Sequence, residues 1–104
     1  MKTYTALAYE LKDKPGNYIT KDGPGDTTNV EDAFLYVNRD GSKPNKKEFI
    51  KYSRLLEFEH RKMLEREFKV VAVNNFTPYK WLEHCNLVEV EICEETFNEI
   101  LEDK

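Results

Sequence analysis

The sequence predicts an α+β domain: a small mixed sheet of three to five strands packed on one long helix, with two short helices beside it. Three observations predict it. Residues Asn45 to Phe68 carry period-3.6 sidedness. Phe49, Tyr52, Leu56, His60, Met63 and Leu64 share one face when each residue turns by about 100°. Leu87 to Ile92 alternates strictly, with Val88, Val90 and Ile92 facing one way and Glu89 and Glu91 the other. Lys2 to Leu11 is rich in Thr, Tyr and Ala and has apolar side chains on both faces, which suits a strand inside a sheet. A helix with so long an apolar stripe needs a sheet to cover it.

The elements follow in order. Pro15-Gly16-Asn17 marks a turn after the first strand, Tyr18-Ile19-Thr20 a short returning strand, and Lys21 to Gly25 a second turn. Thr28 to Asn38 satisfies two patterns. Val30, Ala33, Phe34 and Val37 have helical spacing, whereas Phe34-Leu35-Tyr36-Val37 is a run of strand formers. A helical turn at Asn29 to Ala33 leading into a strand at Phe34 to Asn38 reconciles them. Asp40-Gly41-Ser42 ends that element. Asn45, just after Pro44 and three residues before Glu48, reads as the N-cap of the long helix. Lys69 to Asn74, with Val70, Val71 and Val73, reads as a buried strand, and Thr77-Pro78 opens a short helix running to Cys85. Glu94 to Leu101 closes the chain as a helix whose apolar side is Phe97, Ile100 and Leu101. Glu94 and Glu95 sit in its first turn, where the helix dipole favours them. No repeat, low-complexity tract or linker divides the chain, so residues 1–104 read as one domain.

Composition narrows the function classes. The 104 residues are 39% apolar and 35% charged, and 12% aromatic, too aromatic for a disordered chain. No apolar run approaches the ~18 residues that a membrane span needs. Met1 to Leu7 alternates and lacks the apolar core of a signal peptide. With Cys85 and Cys93 read as free thiols, a cytoplasmic protein is expected. The net charge of −4 conceals a split: Asn86 to Lys104 holds seven acids and one base, and Lys43 to Lys69 nine bases and five acids.

Two surfaces are candidate sites. Opposite the apolar stripe of the long helix lie Lys47, Lys51, Arg54, Phe58, Arg61 and Lys62. This is a basic stripe with one aromatic, suited to an acidic protein partner or to phosphates. The plain alternative is a solvated face laced with i,i+4 pairs such as Glu57–Arg61. Phe58 argues against it, because an apolar ring within a polar face needs a covering loop, a second copy of the chain or a partner. The other surface is the acidic strand face of Glu89 and Glu91, whose carboxylates stand about 6–7 Å apart, close to phosphate spacing, as in a DNA mimic. That face is expected to be wet or covered by something cationic.

Catalytic and metal chemistry find little support. His60 falls within the apolar stripe, the usual place of a core histidine. His84, Cys85 and Cys93 lack the spacing of a zinc site, and no local motif activates either thiol. The run Gly23 to Thr28 lacks the Lys-Ser/Thr ending of a P-loop and reads as a surface turn. No cofactor, metal ligand or catalytic residue is expected.

The layout resembles small accessory proteins of phages and prophages. The residues that carry the resemblance are Gly16-Asn17-Tyr18-Ile19, then Thr28-Asn29-Val30-Glu31-Asp32-Ala33-Phe34-Leu35-Tyr36, and the closing strand Val88-Glu89-Val90-Glu91-Ile92. The insert around Pro78 and Trp81 departs from that pattern. The resemblance implies a host-takeover or counter-defence role through binding to a host macromolecule, and carries no catalytic residues. The expectation is therefore a cytoplasmic, non-enzymatic inhibitor that docks on a host protein. A nucleic-acid binder using the basic helix face and a DNA mimic using the acidic face are the alternatives.

Overall fold

β1 (Thr3–Leu11) organises the sheet, because both its edges and both its faces are used. The computed structural model describes residues 2–21, 25–55, 58, 61–68, 70–72 and 83–102, the side chains at 61, 62, 65, 68, 70 and 72 excepted. The expected short helix from Thr77, together with Leu56, His60 and Trp81, lies outside the described residues, and Cys85 opens a strand.

Along one edge β1 pairs with β6 (Cys85–Cys93) over its whole length, from Thr3↔Cys93 to Leu11↔Cys85. Along the other it meets β2 (Tyr18–Ile19) near its end and β4 (Leu35–Asn38) at its middle. β3 (Asp26–Thr27) adds to β2, and β5 (Val70–Ala72) adds to β4. All these pairings are antiparallel, so the sheet is not mixed as expected. It has six strands, one more than the upper count expected: Tyr18–Ile19 forms the short strand read from the sequence, whereas β3, of two residues, is too short to announce itself by alternation. The α+β class holds. A 3-10 turn at Val30–Asp32 leads into β4, as the two overlapping patterns required. Asn29 Oδ1 caps that turn by accepting from the Glu31 N–H at 3.1 Å.

Each face of the sheet has its own core. Leu7, Tyr9, Tyr36 and Cys85 point to the face covered by α1 (Lys46–Leu55) and α2 (Arg61–Phe68), where Phe49, Tyr52 and Leu64 meet them. This layer is aromatic. The Tyr36 and Phe49 rings meet edge-on with centroids 4.3 Å apart, and Tyr9 approaches Phe49 at 5.8 Å. Such pairs contribute about 0.5–1.5 kcal/mol each beyond the area they bury. The opposite face is mostly aliphatic. Ala6, Ala8, Leu35, Val37 and Ile92 lie under Phe97 and Ile100 of α3 (Glu94–Glu102). Alanines at the centre of β1 leave room for that helix. Phe97 stacks on Tyr4 at 4.0 Å.

The single long helix is the main correction. α1 ends at Leu55, Phe58 lies in a turn, and α2 begins at Arg61. The Phe58 N–H donates to Leu55 O at 2.9 Å, a tight closing turn. Met63, expected on the core stripe, is 57% exposed, while its neighbour Leu64 is buried. The break resets the phase of the apolar pattern.

Candidate functional site

The α1 surface is built from its N-terminus. Asp40 Oδ1 accepts from the Ser42 N–H at 3.0 Å and from its hydroxyl, and Gly41 takes a φ of +83°. This turns the chain out of β4. Asn45 Oδ1 then accepts from the Lys47 and Glu48 N–H groups at 2.8 and 3.1 Å, closing two of the open donors of α1. Phe49 and Tyr52 turn inward, so Lys47, Lys51 and Arg54, spaced four and three residues apart, turn outward and are exposed. Lys51 and Arg54 are engaged in further interactions of their own. At the end of this row stands Phe58, 82% exposed in the inter-helix turn. Arg61 and Lys62 occupy the first turn of α2, and their side chains lie outside the described residues. The exposed Met63, which periodicity assigned to the core, is the apolar residue of this corner that the sequence reading missed.

The acidic surface lies on β6. Glu89 and Glu91 are exposed on the same sheet face that α1 and α2 cover further along. At the covered end Cys85 is buried and Leu87 half-buried; at the open end the carboxylates reach water. Thr5 donates its hydroxyl to Glu91 Oε1 at 2.9 Å, and Lys43 Nζ stands 3.2 Å from Glu89 Oε1. The expected cationic cover is thus a lysine from the loop before α1. Lys43, Asn45, Lys46 and Lys47 line a shallow recess together with Glu89. The basic helix end and the acidic strand adjoin.

The reactive residue types are not brought together. Cys85 and Cys93 occupy opposite ends of β6, roughly 26 Å apart at about 3.3 Å per residue. Cys85 is buried, and burial pushes its thiol up. Cys93 lies 3.3 Å from Thr96 Oγ1 and 3.7 Å from Glu31 Oε2, which also takes the Thr96 hydroxyl. This cluster ties the 3-10 turn to the start of α3. His84 is exposed in the turn before β6. It borders a recess of about 590 Å³ floored by Leu11 and Ile19 and rimmed by Lys12, Lys14 and Asp26. No group of three metal-ligating side chains occurs among the described residues. No helix among them is long and apolar enough to cross a membrane. No family model, curated protein or solved structure matches the chain.

Proposed function

We propose that the protein is a non-enzymatic binding module that docks on a protein partner through the α1–α2 corner. The observation that carries this reading is the exposure of Phe58 at 82% in a turn between two helices, with a row of cations leading to it along α1. Leaving a benzyl ring in water forgoes about 1.5–3 kcal/mol that burial would return, and aromatic residues ringed by polar ones are common anchors of interfaces. The cations steer an acidic partner and fix its orientation.

A protein partner is favoured over nucleic acid by Glu89. Its carboxylate pairs with Lys43 and lines the same recess as Lys46 and Lys47, where it would oppose a phosphate backbone. The resemblance to phage accessory proteins gives the direction of such docking: interference with a host protein in the cytoplasm, as an inhibitor or counter-defence factor.

The test is capture from an extract of the native host, comparing the wild type with Phe58→Asp/Arg61→Glu. The double variant is expected to lose the partner while keeping its thermal midpoint. Retention of the partner by the variant removes this reading. A low-salt gel shift with DNA and RNA separates the nucleic-acid alternative, which requires a complex that weakens steeply as salt rises.

A further inference from the structure

We infer that the outer edge of β6 is a strand-addition site for an extended peptide segment in which basic and apolar side chains alternate. β6 spends all nine of its residues on β1, and among the described residues no strand lies on its other side. Nine residues span about 30 Å, longer than the usual strand of five or six. Along that length every second residue turns its N–H and C=O outward, which is a template for another strand. The opposite edge strand, β5, has three residues.

Side chains on both faces say what would fit. The central residues of β1, Ala6 to Tyr9, are fully buried, whereas Leu87, Val88 and Val90 beside them on β6 are half-buried. The apolar layers therefore run to the sheet edge and stop there incompletely covered. An added strand would cover Val88 and Val90 with apolar side chains of its own. On the other face its neighbours are Glu89 and Glu91. Thr5 holds one oxygen of Glu91, and Lys43 lies against one oxygen of Glu89. Each carboxylate keeps a second oxygen for an incoming cation. Cations opposite the two glutamates and apolar groups opposite the two valines make a period of two, the period of a strand.

The same charges select against other occupants. An acidic segment would set like charges opposite one another. A second copy pairing antiparallel about Glu89 would set that carboxylate against its twin. This site is separate from the α1–α2 corner, and neither depends on the other.

The experiment is an amide NMR titration of the full chain with a soluble synthetic peptide alternating Lys and Val. A peptide of the same composition, with its lysines and valines in two blocks, is the control. The alternating peptide is expected to shift and protect the amides of residues 85–93, and the block peptide to leave them unprotected. Glu89→Lys/Glu91→Lys should weaken binding about tenfold. Glu89→Gln/Glu91→Gln, which keeps the side-chain shape, should give a smaller loss in the same direction. Phe58→Asp should bind the peptide as the wild type does. Absence of protection in β6, equal protection by both peptides, or dimerisation of the free protein through β6 would overturn the inference.

Discussion

Lys43 Nζ lies 3.2 Å from Glu89 Oε1, joining the loop before α1 to the strand at the sheet edge. The chain's basic and acidic segments, far apart in sequence, are neighbours in space. Both partners are well exposed, and an exposed pair contributes at most about 1 kcal/mol. Lys43→Ala should therefore lower the unfolding free energy by no more than about 1 kcal/mol, and by less in high salt. Urea denaturation at two salt concentrations checks this. A loss of several kcal/mol would mean that the pair holds the loop in place.

Among the described glycines, Gly41 should be the least tolerant of a side chain. Its φ is +83°, and an added Cβ would stand 3.0 Å from the Tyr4 ring, which is itself stacked on Phe97. Gly16 has a similar φ of +90° but open space around it. Gly16→Ala should cost about 1 kcal/mol for the backbone alone. Gly41→Ala should cost about 1–3 kcal/mol more, because the ring must shift. Thermal unfolding of the two variants side by side measures the difference.

Tyr36 is buried, and its hydroxyl finds no hydrogen-bond partner among the described residues. Its ring is what the core uses, against Phe49 and Tyr52. Tyr36→Phe keeps the ring and removes the desolvated hydroxyl, so it should raise stability by about 1 kcal/mol. Chemical denaturation tests it; a clear loss would show that the hydroxyl has a partner that matters.

The tyrosine layer also predicts alkaline sensitivity. Burial pushes the phenols of Tyr9 and Tyr36 well above their ordinary range. Tyr52 and Glu48 raise Tyr36 further, while the Ser53 hydroxyl pulls Tyr9 part of the way back. In the unfolded chain both phenols ionise near ~10. Above that pH the unfolded chain has lost protons that the folded one keeps. Stability is thus full below about pH 9 and falls as pH rises, by up to ~1.4 kcal/mol per pH unit for each phenol. Thermal midpoints from neutral to alkaline pH should show a plateau and then a steep decline. The part of the phenolate absorbance that belongs to Tyr9 and Tyr36 should appear only as unfolding begins. Early phenolate formation by all the tyrosines in the native state would contradict this.

Much of the scaffold was legible because two faces of one sheet leave different marks. β1 reads as internal because both its faces are apolar, and β6 as a strand with one wet face because Glu89 and Glu91 alternate with valines. The 3-10 turn and β4 were legible once two overlapping patterns were split at Ala33. The break between α1 and α2 was not. Leu55, Phe58 and Arg61 include no Gly or Pro, and the apolar spacing runs on through the turn as if nothing happened. Met63 was misplaced for the same reason, since a phase reset cannot be read from a pattern that shows no interruption. The exposure of Phe58 was legible because helical spacing sets it opposite Phe49 and Tyr52 in the sequence, and it is exposed in the turn as well. The contact of Lys43 with Glu89 was not, because only the pairing of β6 with β1 brings that strand beside the loop.

The most direct test of the Phe58 corner is photo-crosslinking from that position. A benzoylphenylalanine replaces Phe58 in one sample and the exposed Asn98 of α3 in another, and each is irradiated in an extract of the native host. The account predicts one discrete protein adduct from position 58 and none from position 98. Excess wild-type protein should abolish the adduct, and excess Phe58→Asp should not. Equal labelling from both positions, or equal competition by Phe58→Asp, would contradict it.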